Sequence, residues 1–288
     1  MKKKLYPYLL VGPALAFMMC FVVYPMFYLG YISLTNWNLI NPNKKFVGLA
    51  NYKDLLGREE FYETLWNTCT YTFWTVLLIM TVALLLAVWF NKNTKFDIFG
   101  QMAIFTPHIV ALVSVAMVWL WLMDPDAGLL NYILGIFGIP PCEWLQSSDT
   151  SMMSIILVSV WKSVGYYTLI ILSALQGIPK EIYEAAALDN TPKWKQFFKI
   201  TLPIISPQLF FLLIVMTIGS FKVFETVRVM TGGGPNFSTN VLVYYIYDYA
   251  FNNMKLGYAA SAGMVLLAIV GLVTIVYFRL LSKKVHYQ

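Results

Sequence analysis

Long runs of residues without charge dominate the pattern of this chain. Five runs contain no Asp, Glu, Lys or Arg, and they cover residues 5–43, 64–91, 98–123, 200–221 and 256–278. A sixth apolar run, 152–175, is interrupted only by Lys162. Each run exceeds the roughly 20 apolar residues that a helix needs to cross a bilayer. The pattern therefore predicts six transmembrane segments.

The apolar residues within each run are continuous, which is typical of membrane helices and not of the alternating strands of a barrel. A helix also pairs its own backbone amides, as hydrocarbon requires. We predict spans near 8–34, 68–90, 102–123, 152–175, 202–224 and 257–281. The fold class is all-α, a polytopic membrane protein with a single transmembrane domain over residues 1–288 and a core at about 65–281. The first run is not a cleaved signal peptide, because its apolar length far exceeds the usual 7–15 residues or so.

Charge supports a membrane location and indicates an orientation. Charged residues make up 12% of the chain, against about 25% in soluble domains. With the N-terminus inside, 12 of the 20 Lys and Arg residues fall in cytoplasmic segments and six in external ones, with Lys162 and Lys222 near or within spans. Because basic residues concentrate on the cytoplasmic side, we predict a multi-pass protein of the cytoplasmic membrane with both termini cytoplasmic. The net charge of +6 reflects this bias and gives little support to a nucleic-acid partner.

The predicted cytoplasmic segment 176–203 has the pattern of two helices joined by a turn. Pro179 suits the first turn of a helix over 180–188, and Asn190 tolerates the left-handed conformation that ends a helix. Thr191 is a predicted N-cap, and Pro192 a first-turn residue, of a second helix with an aromatic face beside lysines. Taken alone, this pattern is also that of an amphipathic element resting on the lipid surface.

Polar residues inside the spans form two candidate faces. Ser159, Lys162, Ser163 and Tyr166 are spaced i, i+3, i+4 and i+7, so they share one face of the fourth predicted span. One interpretation is helix packing through small serines with a lysine that extends towards the lipid surface. The other is a solute pathway, in which hydroxyl groups bind the solute and Tyr166 stacks on its ring. Ser220, on a similar face of the fifth span, belongs to the same pathway hypothesis.

Other candidate sites have simpler interpretations. We predict that Lys222 and Glu225 pair with each other, with a solute role as the alternative interpretation. We also predict that His108 is a hydrogen-bonded structural residue and not a metal ligand. The three cysteines are far apart in sequence and form neither a disulfide framework nor a metal-binding cluster. No G-x-x-x-x-G-K-[ST] motif occurs, so the chain has no phosphate-binding loop and is not its own ATPase. We predict no enzyme activity, no metal site and no cofactor in this chain.

The cytoplasmic segment contains a recognisable motif. Its residues Glu184-Ala185-Ala186-Ala187-Leu188-Asp189-Asn190, followed by Ile200-Thr201-Leu202-Pro203, resemble the EAA loop of ABC importer permeases. The resemblance implies the type I ABC importer permease fold and a loop that docks into a groove on an ATPase subunit. The candidate coupling residues carried over are Glu184, Ala185, Ala186, Asp189 and Asn190. The family usually has Gly where this chain has Asn190, and Asn tolerates the same backbone geometry at some cost.

Further segments resemble the maltose and glycerol-3-phosphate branch of these permeases, in the same order along the chain. They are FVGLANY at 46–52, NT at 67–68, GLLN at 128–131, WK at 161–162, TGGGP at 231–235 and KVHYQ at 284–288. The resemblance implies the permease subunit of an ATP-driven, binding-protein-dependent importer of an oligosaccharide or related sugar. The implied partners are a second homologous permease subunit, two ATPase subunits or domains that bind ATP and Mg, and an extracytoplasmic solute-binding protein.

Three other functions compete with this one. The same type of permease would serve glycerol-3-phosphate or another polyol phosphate. A self-sufficient secondary transporter tends to show internal repeats and charged residues near the midplane, whereas this sequence has no convincing repeat and no carboxylate in its spans beyond the marginal Glu225. A membrane enzyme would need a cluster of His, Asp or Glu within the spans, which the sequence lacks.

Overall fold

Helices dominate the computed structural model of the chain, which describes residues 2–41, 43–92 and 94–281. The α-helices are α1 (Lys2–Met18), α2 (Tyr24–Ser33), α3 (Ala50–Leu56), α4 (Glu59–Trp89), α5 (Lys95–Ile109), α6 (Leu112–Leu122), α7 (Leu129–Ile136), α8 (Ser151–Gln176), α9 (Lys180–Leu188), α10 (Lys193–Gln196), α11 (Leu202–Phe221), α12 (Glu225–Met230), α13 (Leu242–Tyr247) and α14 (Leu256–Leu281). Short π-helical segments continue directly from α1, α10 and α13. Strands β1 (Thr35–Asn36) and β2 (Lys45–Phe46) form one antiparallel pair, with Thr35 opposite Phe46. The predicted all-α class is confirmed.

The predicted spans correspond to five long apolar helices and one bent helix pair within the described residues. The long helical segments are Leu10–Ser33, Glu59–Trp89, Ser151–Gln176, Lys193–Met230 and Leu256–Arg279. Glu59–Trp89 and Lys193–Met230 each begin nine residues before the predicted second and fifth spans, in charged sequence. A helix continues its own hydrogen bonding past the hydrocarbon, whereas a run without charge marks only the part in lipid.

The third span is not the single helix predicted over 102–123. It consists of α5 and α6, which are bent by 100° relative to each other across Val110 and Ala111. Both residues have extended backbone, with ψ of 139° and 135°. At its other end α5 begins with a capping box, in which Thr94 accepts from the Asp97 amide and Asp97 accepts from the Thr94 amide.

The chain divides into two compact units. One comprises Met1–Tyr62 and Tyr245–Ile269, and the other comprises Glu63–Tyr244 and Val270–Gln288. The single domain over residues 1–288 stays a prediction. The segment 284–288, which carries part of the family resemblance, lies outside the described residues.

The first unit is held together by hydrogen bonds and close helix contacts. Asn51 donates to the carbonyl oxygens of Ser33 (2.8 Å) and Thr35 (2.9 Å). A Cβ on Gly257 would lie 1.9 Å from the Thr35 carbonyl oxygen, so only glycine fits there. Arg58 pairs with Asp54 at 3.1 Å, and this hydrogen bond raises the pKa of the guanidinium further above its ordinary value.

The second unit has its apolar core between α4, α8 and α11. The buried residues of this core include Val76, Ile79, Ala83, Ala87, Ile171, Leu172, Leu175, Ile205, Leu212 and Met216. Helix α8 also meets α5 very closely, because a Cβ on Gly165 would lie 1.9 Å from the carbonyl oxygen of Ile104. The bent third span therefore packs so closely against the continuous fourth span that their backbones are in contact.

Candidate functional site

A polar cavity of about 440 Å³ lies in the second unit, between α4, α8 and the end of α11. Its polar lining comprises Tyr71, Thr75, Ser159, Lys162, Ser163, Tyr167, Ser220, Lys222, Glu225 and Thr226. Four of the five predicted pathway residues, all except Tyr166, are thus brought together around one space. Cavities of this volume are typical of small-molecule sites.

Helix α4 supplies polar groups that the sequence analysis did not single out. The hydroxyl of Tyr71 donates to Oγ of Ser159 at 2.8 Å, and both residues are buried. Thr75, one turn further on, is 3% exposed, and its hydroxyl has no hydrogen-bond partner among the residues that the structure describes. The spacing of Thr64, Thr68, Tyr71 and Thr75 along one apolar run was the available signal. A polar stripe of this kind marks a helix face directed away from lipid.

Lys162 does not extend towards the lipid surface as the packing interpretation assumed. Its side chain is buried, and Nζ donates to the carbonyl oxygens of Pro107 (3.2 Å), His108 (3.2 Å) and Val110 (2.7 Å). These carbonyls lie at the end of α5 and in the bend that follows, where the helix offers them no amide partner. The three N–H groups of an ammonium match these three acceptors. Lys162 therefore caps the broken third span.

Tyr166 lies apart from the cavity. Its ring stacks on the His108 imidazole, with centroids 4.5 Å apart and planes 11° from parallel. It borders a separate, mainly apolar cavity together with Phe105 and Gln208. A step of seven residues from Ser159 places Tyr166 against α5, whereas Tyr167 lines the polar cavity instead.

The His108 imidazole stacks on the rings of Tyr166 and Phe105, and its buried Nδ1 has no hydrogen-bond partner among the described residues. A hydrogen-bonded structural role for His108 stays a prediction. The described residues contain no group of three or more His, Cys, Asp or Glu side chains placed to hold a metal ion.

The predicted ion pair between Lys222 and Glu225 is wrong. Helix α11 ends at Phe221 and α12 begins at Glu225, so the two residues are not neighbours on one helix. Among the residues that the structure describes, the single ion pair within 4 Å is that of Arg58 with Asp54. Lys222 and Glu225 both line the polar cavity, where they bring one charge of each sign.

The segment that we predict to be cytoplasmic forms the predicted helix and turn, but its second helix is not separate. Asn190 ends α9 in the left-handed conformation, with φ of 49°, and the Thr191 amide donates to the Ala186 carbonyl. The N-cap of the next helix is Pro192, not Thr191, and no side chain caps it. From there α10, a π-helical segment (Phe197–Thr201) and α11 follow without interruption. The second helix of the predicted pair is thus the start of the fifth span.

The predicted coupling residues do not all face outwards. Glu184, Ala185, Asp189 and Asn190 are exposed, whereas Ala186 is 6% exposed and packed within its own chain. A hydrogen bond of 2.9 Å between the hydroxyls of Tyr183 and Thr201 joins α9 to the start of the fifth span. Four of the five residues are therefore available to a partner, on an element tied to a span.

Two asparagines in the segments that resemble the permease family, Asn67 and Asn131, have a structural role. In the second unit, Asn67 donates to the carbonyls of Phe237 (2.8 Å) and Asn240 (3.2 Å). Asn131 is 9% exposed and bonds the backbone of Pro125 and Cys142, and it also accepts from the Trp144 indole at 2.8 Å. These side chains replace backbone partners in irregular segments, where buried amides need them.

Known proteins share this sequence and this architecture. Residues 79–287 match the family of binding-protein-dependent transport system inner membrane components. The probable ABC transporter permease protein YurN of Bacillus subtilis (strain 168) is 36% identical over 273 residues, which is 93% of each chain. The sn-glycerol-3-phosphate transport system permease protein UgpA of Agrobacterium fabrum (strain C58) is 34% identical over 287 residues, covering 99% of this chain and 97% of the relative.

A solved structure gives the same fold. A chain of a bacterial alginate ABC transporter, crystallised in complex with an alginate pentasaccharide-bound periplasmic protein, superposes with a TM-score of 0.84 at 22% identity. The match covers 96% of this chain and 94% of that one. The predicted ABC importer permease fold with six spans is confirmed.

The fold and the site define a membrane-embedded transport subunit. The chain belongs to the family of binding-protein-dependent transport system inner membrane components. It is a multi-pass permease of the ABC transporter class in the cytoplasmic membrane, and its role is transport and not catalysis. A self-sufficient secondary transporter does not fit this membership.

Proposed function

We propose that this chain is the permease subunit of an ATP-driven importer of an oligosaccharide or related sugar. The observation that carries the proposal is the polar cavity, whose lining includes seven hydroxyl-bearing side chains. Hydroxyl groups both donate and accept hydrogen bonds, which suits a solute whose surface is itself made of hydroxyl groups. The unpartnered hydroxyl of Thr75 offers such a bond without breaking an existing one.

The charges in the cavity favour a neutral solute over an anionic one. Arg is absent from the lining, and the Lys162 ammonium already serves three carbonyl oxygens. Lys222 and Glu225 contribute opposite charges. A phosphate group is usually bound by Arg or by several free cationic donors. Besides Lys162, this lining has one lysine, Lys222, and one carboxylate, Glu225.

Glycerol-3-phosphate or another polyol phosphate is the second candidate. The sn-glycerol-3-phosphate permeases named UgpA are 32–34% identical to this chain over nearly its whole length. Competition experiments on right-side-out vesicles distinguish the candidates, using labelled maltose, maltotriose and glycerol-3-phosphate as probes. Uptake of a neutral sugar that excess glycerol-3-phosphate leaves unchanged supports the first candidate. Uptake of glycerol-3-phosphate alone overturns it.

The remaining partners follow from the same proposal. They are a second homologous permease, two ATPase subunits or domains that bind ATP and Mg, and a solute-binding protein outside the membrane. The exposed coupling residues Glu184, Ala185, Asp189 and Asn190 are proposed to contact the ATPase. Because α9 is tied to the fifth span through Tyr183 and Thr201, movement of the ATPase is transmitted to the membrane.

Ala185→Trp and Asp189→Lys test the coupling role. We expect both variants to insert normally and to lose solute-stimulated ATP hydrolysis, because one overpacks the contact and the other reverses a charge. Overpacking typically costs about 1–3 kcal/mol. Glu181→Lys reverses a charge in the first turn of the same helix and serves as the matched control. Wild-type ATPase capture and transport by both variants would show that the loop does not couple.

The proposed orientation places both termini in the cytoplasm. Single cysteines at Lys180 and Lys255, both exposed, are expected on opposite sides. In a background without the three native cysteines, an impermeant thiol reagent applied to intact spheroplasts should label position 255 and spare position 180. The reverse pattern contradicts the orientation.

A further inference from the structure

The fourth span holds the bend of the third, through contacts of three kinds on one face of α8. Lys162 bonds three carbonyl oxygens at the end of α5. Gly165, three residues later, has no Cβ, so the α5 backbone at Ile104 can occupy the space that a Cβ would need. Tyr166 stacks on His108 in the last turn of α5. The spacing i, i+3 and i+4 places all three on neighbouring positions of α8.

Within the described residues, no backbone amide serves the three carbonyls that Lys162 serves. The carbonyls of Pro107 and His108 belong to the last turn of α5, which lacks following helical amides. Val110 has extended backbone between α5 and α6, and its carbonyl accepts a hydrogen bond from Lys162. A positive charge at the C-terminal end of a helix is also favoured by the helix dipole. The ammonium therefore stabilises the broken form of the span over a continuous helix.

The bend is part of the cavity wall. Leu112, the first residue of α6, lines the polar cavity together with Lys162. A change in the angle between α5 and α6 therefore moves one side of the space assigned to solute.

We propose that Lys162 is a positioning residue for transport, which fixes the bend at Val110–Ala111 and thereby places Leu112 at the cavity wall, and that it does not bind the solute. The inference concerns the geometry of the second unit and is independent of which solute the cavity accepts. It reassigns a residue that sequence spacing placed in the solute pathway.

The test measures the bend directly in the complete transporter, purified through a tag on this chain and placed in lipid nanodiscs. Spin labels at Met102 and Met117, which are exposed on α5 and α6, report the distance across the bend. The three native cysteines are first replaced by serine. Lys162→Met removes the donors while keeping most of the length of the side chain, and Lys162→Arg keeps both donors and charge.

We expect wild-type protein and Lys162→Arg to give one narrow distance, and Lys162→Met to give a broadened or shifted one. Loss of three bonds to partly buried carbonyls should move the equilibrium between the broken and the continuous form by about tenfold or more. A single cysteine at Leu112 should then change its rate of reaction with a small thiol reagent by a similar factor. Lys222→Met removes a lysine from the same cavity without touching the bend, so its distance should equal that of wild-type protein.

A wild-type distance and a wild-type Leu112 labelling rate in Lys162→Met overturn the proposal. If Lys162→Met is not recovered from membranes, Lys162→Leu replaces it, because leucine also removes the donors and the charge. A wild-type distance in Lys162→Leu then has the same consequence. Loss of sugar uptake with an unchanged bend would assign Lys162 to the solute instead, and would leave the proposed transport function intact.

Discussion

The third and fourth spans show how misleading charge can be as a guide to helix continuity. The third comes from a run of 26 residues without charge, yet it is broken by 100°. The fourth contains Lys162, yet it is continuous over 26 residues. The lysine leaves its own helix intact and serves the end of its neighbour. The structural effect of a charged side chain inside a span thus depends on the backbone groups of the neighbouring helix that it contacts.

The same comparison separates two kinds of polar residue in the second unit. Lys162 and Ser159 are bonded to the protein, and they maintain its shape. Thr75 is buried without a partner, and Ser163 lies half-buried at the cavity, so these hydroxyls remain available. Side chains that share one helix face therefore divide into those that build the cavity and those that offer contacts inside it.

The largest effect is expected where the two spans touch. Gly165→Ala places a methyl group against the Ile104 backbone. Backbone atoms cannot move aside by a change of rotamer, as a side chain could. We expect a loss of about 3 kcal/mol, the upper end for overpacking. Thermal unfolding in detergent measures this loss. Gly271→Ala, in another spanning helix with nothing within 4 Å of the new Cβ, is the control. Equal midpoints for the two variants would show that the spans do not meet here.

A smaller effect is expected at the stacked pair. Tyr166→Leu removes the ring that packs on His108 and should lower stability by roughly 1.5 kcal/mol, whereas Tyr166→Phe keeps the stack. Unfolding midpoints and sugar uptake are measured together. If Tyr166→Phe lost uptake while its stability was unchanged, the Tyr166 hydroxyl would contribute to transport, and Tyr166 would belong to the solute pathway.

Thr75 should respond in the opposite direction. Thr75→Val replaces a buried, unpartnered hydroxyl by a methyl group of similar size, so the free energy of unfolding should rise by roughly 1 kcal/mol. The concentration of sugar for half-maximal uptake should rise at the same time if the hydroxyl binds solute. Thr75→Ser keeps the hydroxyl and is the control. Unchanged uptake by Thr75→Val removes this residue from the pathway.

The smallest effect is expected at the proline of the broken span. Pro107 lies inside α5, two residues before its end. Pro107→Ala should leave the distance between labels at Met102 and Met117 unchanged, because Lys162 and Gly165 still hold the bend. Proline often breaks a helix by removing an amide and crowding the previous turn. A longer distance between the labels in Pro107→Ala would identify proline as the cause of the bend.

Much of the fold was accessible to sequence reasoning. Five charge-free runs and the apolar run around Lys162 located the six spans, and Asn190 was correctly predicted to end α9 in the left-handed conformation. Helix ends were predicted less well, because α4 and the fifth span begin in charged sequence. The continuity of α10 with α11 was missed, since Thr191 and Pro192 form a plausible helix start whether or not the helix continues as a span.

The solute pathway itself stays a prediction. Helical spacing grouped Ser159, Lys162 and Ser163, which line one cavity, but it also included Tyr166, which faces α5. The pairing of Lys222 with Glu225 failed because a helix ends between them. The coupling residues on the cytoplasmic loop stay a prediction, with Ala186 buried in its own chain.

The sequence by itself determined which segments enter the membrane, that the chain is all-α, and to which class of transport protein it belongs. Transfer of a segment into lipid depends on its own side chains, so that information is local. Tertiary structure decided where the third span breaks, what Lys162 bonds and which way Tyr166 faces. Each of these depends on a neighbouring helix at close range. A backbone carbonyl that lacks an amide partner, or the space beside a glycine, is filled by a group from another helix, and the local sequence does not specify which group that is.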